Sequence, residues 1–466
     1  MKVGNFGLRP LERVTMTQAN GEVQAAITQA PQSAWTRGMR PIRALSDGLK
    51  AGSRTMEVDL RLAGMIVALV AIWIGFGWAS GGLFLTPRNF YDVSVQSVPV
   101  AIMATGMVLI IVSRNIDLSV GSIMGLTAYV AAMTQRIWLT QDLGLPYNGF
   151  EIWIIAILAA VAVGALIGAI QGGLTAYIGI PSFVVTLAGL LVWRGLIFKL
   201  QQGQTIAPMD QTFAIFGGNL PQGSLGLWPT WIVGILLCAG IVYALVASRR
   251  KRREYGFPVR PQWAMAILIV GGCAAVLGAM WAYNSYPLPL LLTRQYAVAH
   301  GLNPDGLVIS VGLAAPVLLL LGIGLVMGFL TTRRPFGRYV FAIGGNPDAA
   351  NLAGINTKRT ILGTFVLMGV LCALAGSIQA SRLDAGVTST GTGYELLVIA
   401  AAVLGGTSFS GGIGTIQGAV LGAVLMQSLK SGMVTIGLDS PMQDVAVGCV
   451  LVFAVGLDTI VHRRAK

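Results

Sequence analysis

Residues able to do chemistry are scarce in this chain, and most stand inside or at the ends of long apolar runs. Asp117, Gln171, Arg194, Glu395, Gln417 and Gln427 are the conspicuous ones, joined by the hydroxyls of Ser119 and Thr407. A polar group in such surroundings is expensive, so it turns to a neighbouring helix or a wet cavity. The chemistry on offer is hydrogen bonding, either to a passing solute or between helices. Asp117, just before "LSVGSIMG", also suits an N-cap of that run, a reading favoured over a place in a pathway. Arg194 follows Trp193 deep in a run and needs a partner or water. Glu395 follows Tyr394 at the start of another run.

Other chemistries find little support. Cys238, Cys273, Cys372 and Cys449 lie in apolar runs without paired spacing and read as small hydrophobes. His300 and His462 are far apart, so no metal site is expected. No Gly-Lys pair occurs anywhere, which excludes a phosphate-binding loop of the form G-x-x-x-x-G-K-[ST]. Any ATP and its magnesium must be held by another polypeptide, and no cofactor is expected on this one. The net charge of +13 is gathered at the ends of apolar runs, a pattern of membrane topology and not of nucleic-acid binding.

The elements that must position these residues are membrane helices. The 466 residues are 55% hydrophobic and 11% charged, whereas a soluble domain carries about 25% charged residues. Apolar runs fall near 62–85, 95–113, 118–135, 152–178, 182–199, 228–247, 263–283, 307–331, 361–380, 394–409, 413–433 and 442–460. A crossing takes about 20 residues, so the expected fold is an all-α, polytopic helical bundle of about ten to twelve spans. Short or glycine-interrupted runs predict broken or re-entrant helices. The transmembrane domain covers 62–461, after a polar cytosolic extension at 1–61 that lacks the apolar core of a signal peptide. Basic clusters at 248–262, 332–360 and the tail 462–466 then lie inside, with both termini cytoplasmic. Segments 137–151, 200–227 and 284–306 lie outside.

Glycines four apart, as in Gly121/Gly125, Gly164/Gly168/Gly172, Gly324/Gly328 and Gly414/Gly418/Gly422, predict close helix seams. "SVGSIMG" (119–125) and "GIGTIQG" (412–418) echo one another, as halves of a transporter do.

One stretch, "GGNPDAANLAGINTKRT" (344–360), interrupts the apolar runs with a short polar helix. Asn346 suits the N-cap, Pro347 the first helical position, and Asp348 the positive end of the helix dipole. Gly354 can end it in a left-handed conformation. A helix of about two turns is unstable alone. Ala349, Ala350 and Gly354 leave a low-relief surface suited to a groove on another protein. An ordinary capped turn is the alternative.

"DAANLAG" (348–354) resembles the Glu-Ala-Ala-any₃-Gly signature of ABC-importer permeases, with Asp in place of Glu. "RRPFGRYVFAIGGN" (333–346), "IDLSVGS" (116–122), "PSFVVTLAGLLVWRG" (181–195) and "GGTSFSGGIGTIQGAVLGA" (405–423) resemble the ribose/branched-chain-amino-acid type of that family. The inserted basic loop 248–262 and the run after it are similar to the xylose type. The resemblance covers about residues 60–460. It implies a translocation subunit of the bacterial inner membrane, not an enzyme in its own right. In that family 332–360 would be a coupling loop touching a partner ABC ATPase, with Asp348, Ala349, Ala350, Gly354 and Arg338 at the contact. It further implies a second permease copy and a periplasmic sugar-binding protein, whose rim Arg88, Arg294 and Arg382 could meet. The cargo implied is D-xylose or a similar monosaccharide. Asp117, Ser119, Gln171, Arg194, Glu395 and Thr407 are candidates to line its passage. The rival expectation is an ion-coupled secondary sugar transporter, which the scarcity of intramembrane carboxylates disfavours. An intramembrane enzyme lacks a paired His/Asp/Glu or Ser/His set.

Overall fold

In lipid a backbone can bond its polar groups only within its own helix or a closed barrel, so the apolar runs fold as helices. The computed structural model describes residues 60–464. The extension 1–61, apart from its last two residues, lies outside the described residues, as does the end of the 462–466 tail. In chain order the helices are α1 (Leu60–Ala79), α2 (Pro87–Val112), α3 (Val120–Met133), α4 (Phe150–Gly173), α5 (Ser182–Gln201) and the short α6 (Ala214–Gly217). They continue as α7 (Leu227–Glu254), α8 (Gln262–Asn284), α9 (Leu290–Ala299), α10 (Ala315–Arg333), α11 (Pro335–Gly345) and α12 (Pro347–Leu352). Last come α13 (Thr357–Leu383), α14 (Tyr394–Leu404), α15 (Ile416–Thr435) and α16 (Ser440–Arg464). Among the described residues, pairing outside helices amounts to isolated β-bridges.

Each expected apolar run contains one of these helices. Among the described residues, 8 helices are long and apolar enough to cross a membrane: α1, α2, α4, α5, α7, α8, α10 and α13. Helices α3 and α14 fall short, at 14 and 11 residues. Several expected boundaries shift; α2, for one, begins at Pro87 and not near 95. The run at 307–331 starts its helix only at Ala315, because Leu288 N–H bonds to the Ile309 carbonyl (2.8 Å) and Gly226 N–H to that of Val311 (2.9 Å). The run at 394–409 stops at Leu404 and turns.

Burial sorts the helices into inner and outer. The most apolar stretch of α2 is 94% buried, against 11% for α1, α7 and α8. A helix apolar all round belongs either in a core or in lipid. Helix α2 is the central post, enclosed by α10, α13, α14 and α15, whereas α7 and α8 pair as a peripheral hairpin.

Close packing comes from the predicted glycine seams. A Cβ added at Gly164 or Gly168 of α4 would collide with the carbonyls of Gly369 or Phe365 on α13. Gly418 and Gly422 of α15 meet the backbone of Gly405 and Ala401 in the same way. Gly324 and Gly328 differ: nothing described lies within 4 Å of either position. Replacing Gly168 by valine is therefore expected to cost about 1–3 kcal/mol through overpacking. Gly278→Ala on α8, which has open space around it, should cost nothing measurable. Thermal unfolding in detergent checks the pair, and equal midpoints would contradict the seam.

Candidate functional site

Two arrangements of polar groups stand out, one at an end of the bundle and one inside it. The first is α12. Asn346 Oδ1 accepts from Ala349 N–H at 3.0 Å, and Pro347 occupies the first turn with Asp348. Gly354 has φ +80° and donates to the Asn351 carbonyl (3.0 Å), while Ile355 N–H bonds to that of Ala350 (3.1 Å). Asn356 then caps α13, accepting from Arg359 N–H at 2.9 Å. The residue types thus cap the stretch at both ends, and α12 stands as a 6-residue knob.

Its exposed surface is not quite the one expected. Asp348, Ala349 and Gly354 face outward, and so does Arg338 on α11. Ala350, expected on that face, is turned inward and only 4% exposed. Leu352 takes its place at 90% exposure, a large apolar side chain with nothing over it. Six residues are too few for periodicity to settle which side chains point in. The signal was present as a lone leucine among small and polar neighbours.

Behind α12 lies a junction of three segments. The α2–α3 linker (113–119) carries Arg114, whose Nε donates to the Gly344 carbonyl (2.7 Å) and whose Nη2 donates to that of Gly345 (2.9 Å). Gly412 N–H, from the turn between α14 and α15, bonds to the Val112 carbonyl at 3.0 Å. Gly344 sits so close to that carbonyl that any Cβ there would collide with it. Arg114 was not singled out by sequence, because a basic residue at the end of a run is fully explained by topology.

The second arrangement flanks the first turn of α3. Gln171 Nε2 on α4 donates to Ser119 Oγ (2.9 Å), which donates to Asp117 Oδ1 (2.6 Å). Asp117 Oδ1 also accepts from Ser119 N–H at 2.8 Å. Asp117 therefore closes a local turn two residues ahead and does not cap α3, as had been expected, because the helix begins only at Val120. Asp117, Ser119 and Gln171 are 1%, 0% and 2% exposed, so they brace the interior in this conformation and do not line an open passage.

Arg194 and Glu395 gather on the other side of α3. The segment 384–393 is not helical. Gly386 lies against Ala132 in the last turn of α3, and Gly391 against Gly121 in its first turn. The chain thus dives through the bundle, and α14 starts inside it. Irregular backbone at that depth is tolerated only where protein or a cavity serves its polar groups. Arg194 Nη1 does so, donating to the Thr390 carbonyl at 3.0 Å. Glu395, in the first turn of α14, places its carboxylate over Gly121. Thr407 stands apart from both groups, 1% exposed, in the turn beside the end of α2.

Of the outer arginines, Arg88 and Arg382 share Asp92 as a charged neighbour, Arg88 at 3.9 Å. Arg382 Nε also donates to Gln379 Oε1 at 3.4 Å, while Arg294 is exposed on α9. Gln427 is helix glue, its Nε2 donating to Gln96 Oε1 at 2.9 Å. Among the described residues no group of three or more His, Cys, Asp or Glu could hold a metal ion.

The chain is 37% identical over 413 residues to the xylose transport system permease protein of Escherichia coli (strain K12), covering 88% of this chain and 94% of that one. It is 35% identical over 409 residues to the protein of the same name from Haemophilus influenzae, covering 86% and 97%. The ribose import permease protein of Escherichia coli (strain K12) is 30% identical over 379 residues, covering 80% and 87%. No solved structure matches. Residues 89–455 match the family described as "Branched-chain amino acid transport system / permease component". The chain is a multi-pass membrane protein and belongs to that family of permeases.

Proposed function

We propose that this chain is the translocation subunit of an ATP-driven importer of a monosaccharide, D-xylose or one closely similar. In this reading α12 is a coupling helix: it seats in a groove of a partner ABC ATPase and receives the movement that ATP hydrolysis drives. The carrying observation is the build of α12, capped at both ends and presenting Leu352 at 90% exposure beside Asp348, Ala349 and Gly354. Such a knob contributes little to the core behind it and suits a groove in front.

The loop 332–360 faces the cytosol, as do both termini, in a bacterial inner membrane. A second copy of the chain completes the passage, and a periplasmic receptor delivers the sugar to the opposite end. The names of the relatives support the cargo class. Buried networks at Asp117–Ser119–Gln171 and around Arg194–Glu395 hold that passage shut in the resting conformation and rearrange when it opens. ATP and magnesium stay with the ATPase.

Co-purification tests the assembly. Expressed with a candidate ATPase and sugar receptor, the chain should retain both through detergent extraction, and loaded receptor should stimulate ATP turnover in liposomes. Failure to retain any ATPase would contradict the reading.

A further inference from the structure

We propose that Arg114 is the strut through which movement of α12 reaches the α2–α3 linker and, beyond it, α3, α4 and α5. This inference rests on the coupling reading and names the residue that makes the knob mechanically effective. It is a positioning residue; nothing places it against the cargo.

Helix α12 cannot push on the bundle by itself. Ala350 is the buried side chain among its 6 residues, and an alanine offers little leverage. Movement must leave through the chain on either side. On the N-terminal side α12 begins directly after Gly345 and Asn346, and there the Arg114 guanidinium holds two successive carbonyls, those of Gly344 and Gly345, at 2.7 and 2.9 Å. Those carbonyls belong to the C-terminus of α11, where the helix dipole favours a cation. Tilting α12 drags them, and Arg114 with them.

The other end of the strut is embedded. Arg114 belongs to the linker 113–119, in which Ile116, Asp117 and Ser119 bond inward. Ile116 N–H donates to Ser182 Oγ (3.2 Å), and Thr186 Oγ1 donates to the Ile116 carbonyl (3.3 Å), tying the linker to α5. Asp117 and Ser119 tie it to Gln171 on α4. Beyond Ser119 starts α3, whose first turn carries the re-entrant segment at Gly391. One side chain reaching outward and three helices reached inward make the linker a hub, a contiguous physical connection of the kind coupling requires.

Backbone conformation agrees. Arg114 has φ +62°, in the left-handed region where glycine would be relaxed. An arginine there is held by what its side chain grips. The grip is also specific to arginine: a planar fork spans two carbonyls, whereas an ammonium is a point donor.

The test uses the whole importer, permease with ATPase and receptor, in liposomes loaded with ATP. Its readout is sugar accumulated per ATP hydrolysed. For Arg114→Ala we expect the ATPase still bound and hydrolysis within about two-fold of the parent, with the ratio reduced roughly ten-fold or more, as loss of two charge-assisted bonds at a mechanical joint implies. Arg114→Lys should fall between the two. A parental ratio in Arg114→Ala overturns the proposal, and so does loss of ATPase binding together with uptake, which would make Arg114 part of the docking face. Should the alanine variant fail to accumulate in the membrane, the lysine variant decides by the same ratio, and a parental value there overturns the strut. Uptake by the parent chain without ATPase would instead overturn the coupling reading beneath it.

Discussion

Replacing Leu352 by aspartate is expected to strip the ATPase from this permease while leaving the permease folded. Leu352 is 90% exposed, so its loss removes nothing from the core. In a groove it would be the one sizeable apolar anchor of α12, and interface energy concentrates in a few such anchors. Truncating one costs about 2 kcal/mol or more, roughly thirty-fold in dissociation constant. Aspartate adds the burden of burying a charge without a partner. Two copies of the permease in one importer would compound the effect. Titration of purified ATPase against the variant in nanodiscs measures it, and parental affinity would show that α12 docks through some other face.

Gly354→Arg should abolish uptake without loss of inserted protein. Gly354 has φ +80° and nothing within 4 Å of where a Cβ would lie. Any side chain there bears a backbone cost of about 1–2 kcal/mol, small enough for the bundle to absorb. Arginine adds a long arm on the docking side, whereas alanine adds almost none. Uptake is therefore expected to fall more than about ten-fold in Gly354→Arg and to stay within about three-fold of the parent in Gly354→Ala. Equal uptake by the two variants would mean that backbone strain, and not contact with a partner, sets the requirement for glycine.

What the sequence disclosed follows the range of the interactions. The capped stretch was legible at Asn346 because a cap is a bond between residues three apart, here to Ala349; the Asn356 cap to Arg359 has the same reach but was not singled out. The spans were legible because lipid imposes length and apolarity on each run separately. Glycine spacing predicted seams, and Gly164 and Gly168 form one, but spacing does not say which face meets a neighbour, and a Cβ at Gly324 or Gly328 would have nothing described within 4 Å.

Whatever depends on distant partners stayed hidden. The dive of 384–393 beside α3 is set by Arg194, nearly two hundred residues earlier in the chain, donating to the Thr390 carbonyl. Arg194 looked like an isolated intramembrane charge and proves to be support for irregular backbone. Arg114 looked like a topological charge and is bonded 230 and 231 positions away. Asp117 illustrates the middle case. A residue type right for a cap instead closed its own turn, since Ser119 supplied both N–H and hydroxyl before α3 began.

The central claim, that the driving force comes from a separate ATPase, meets its most direct test in sealed proteoliposomes holding permease, ATPase and receptor, with ionophores dissipating every ion gradient. Sugar should accumulate against its own gradient with ATP present and cease when the ATPase is omitted. Accumulation by the permease alone, following an imposed ion gradient and indifferent to ATP, would contradict the account.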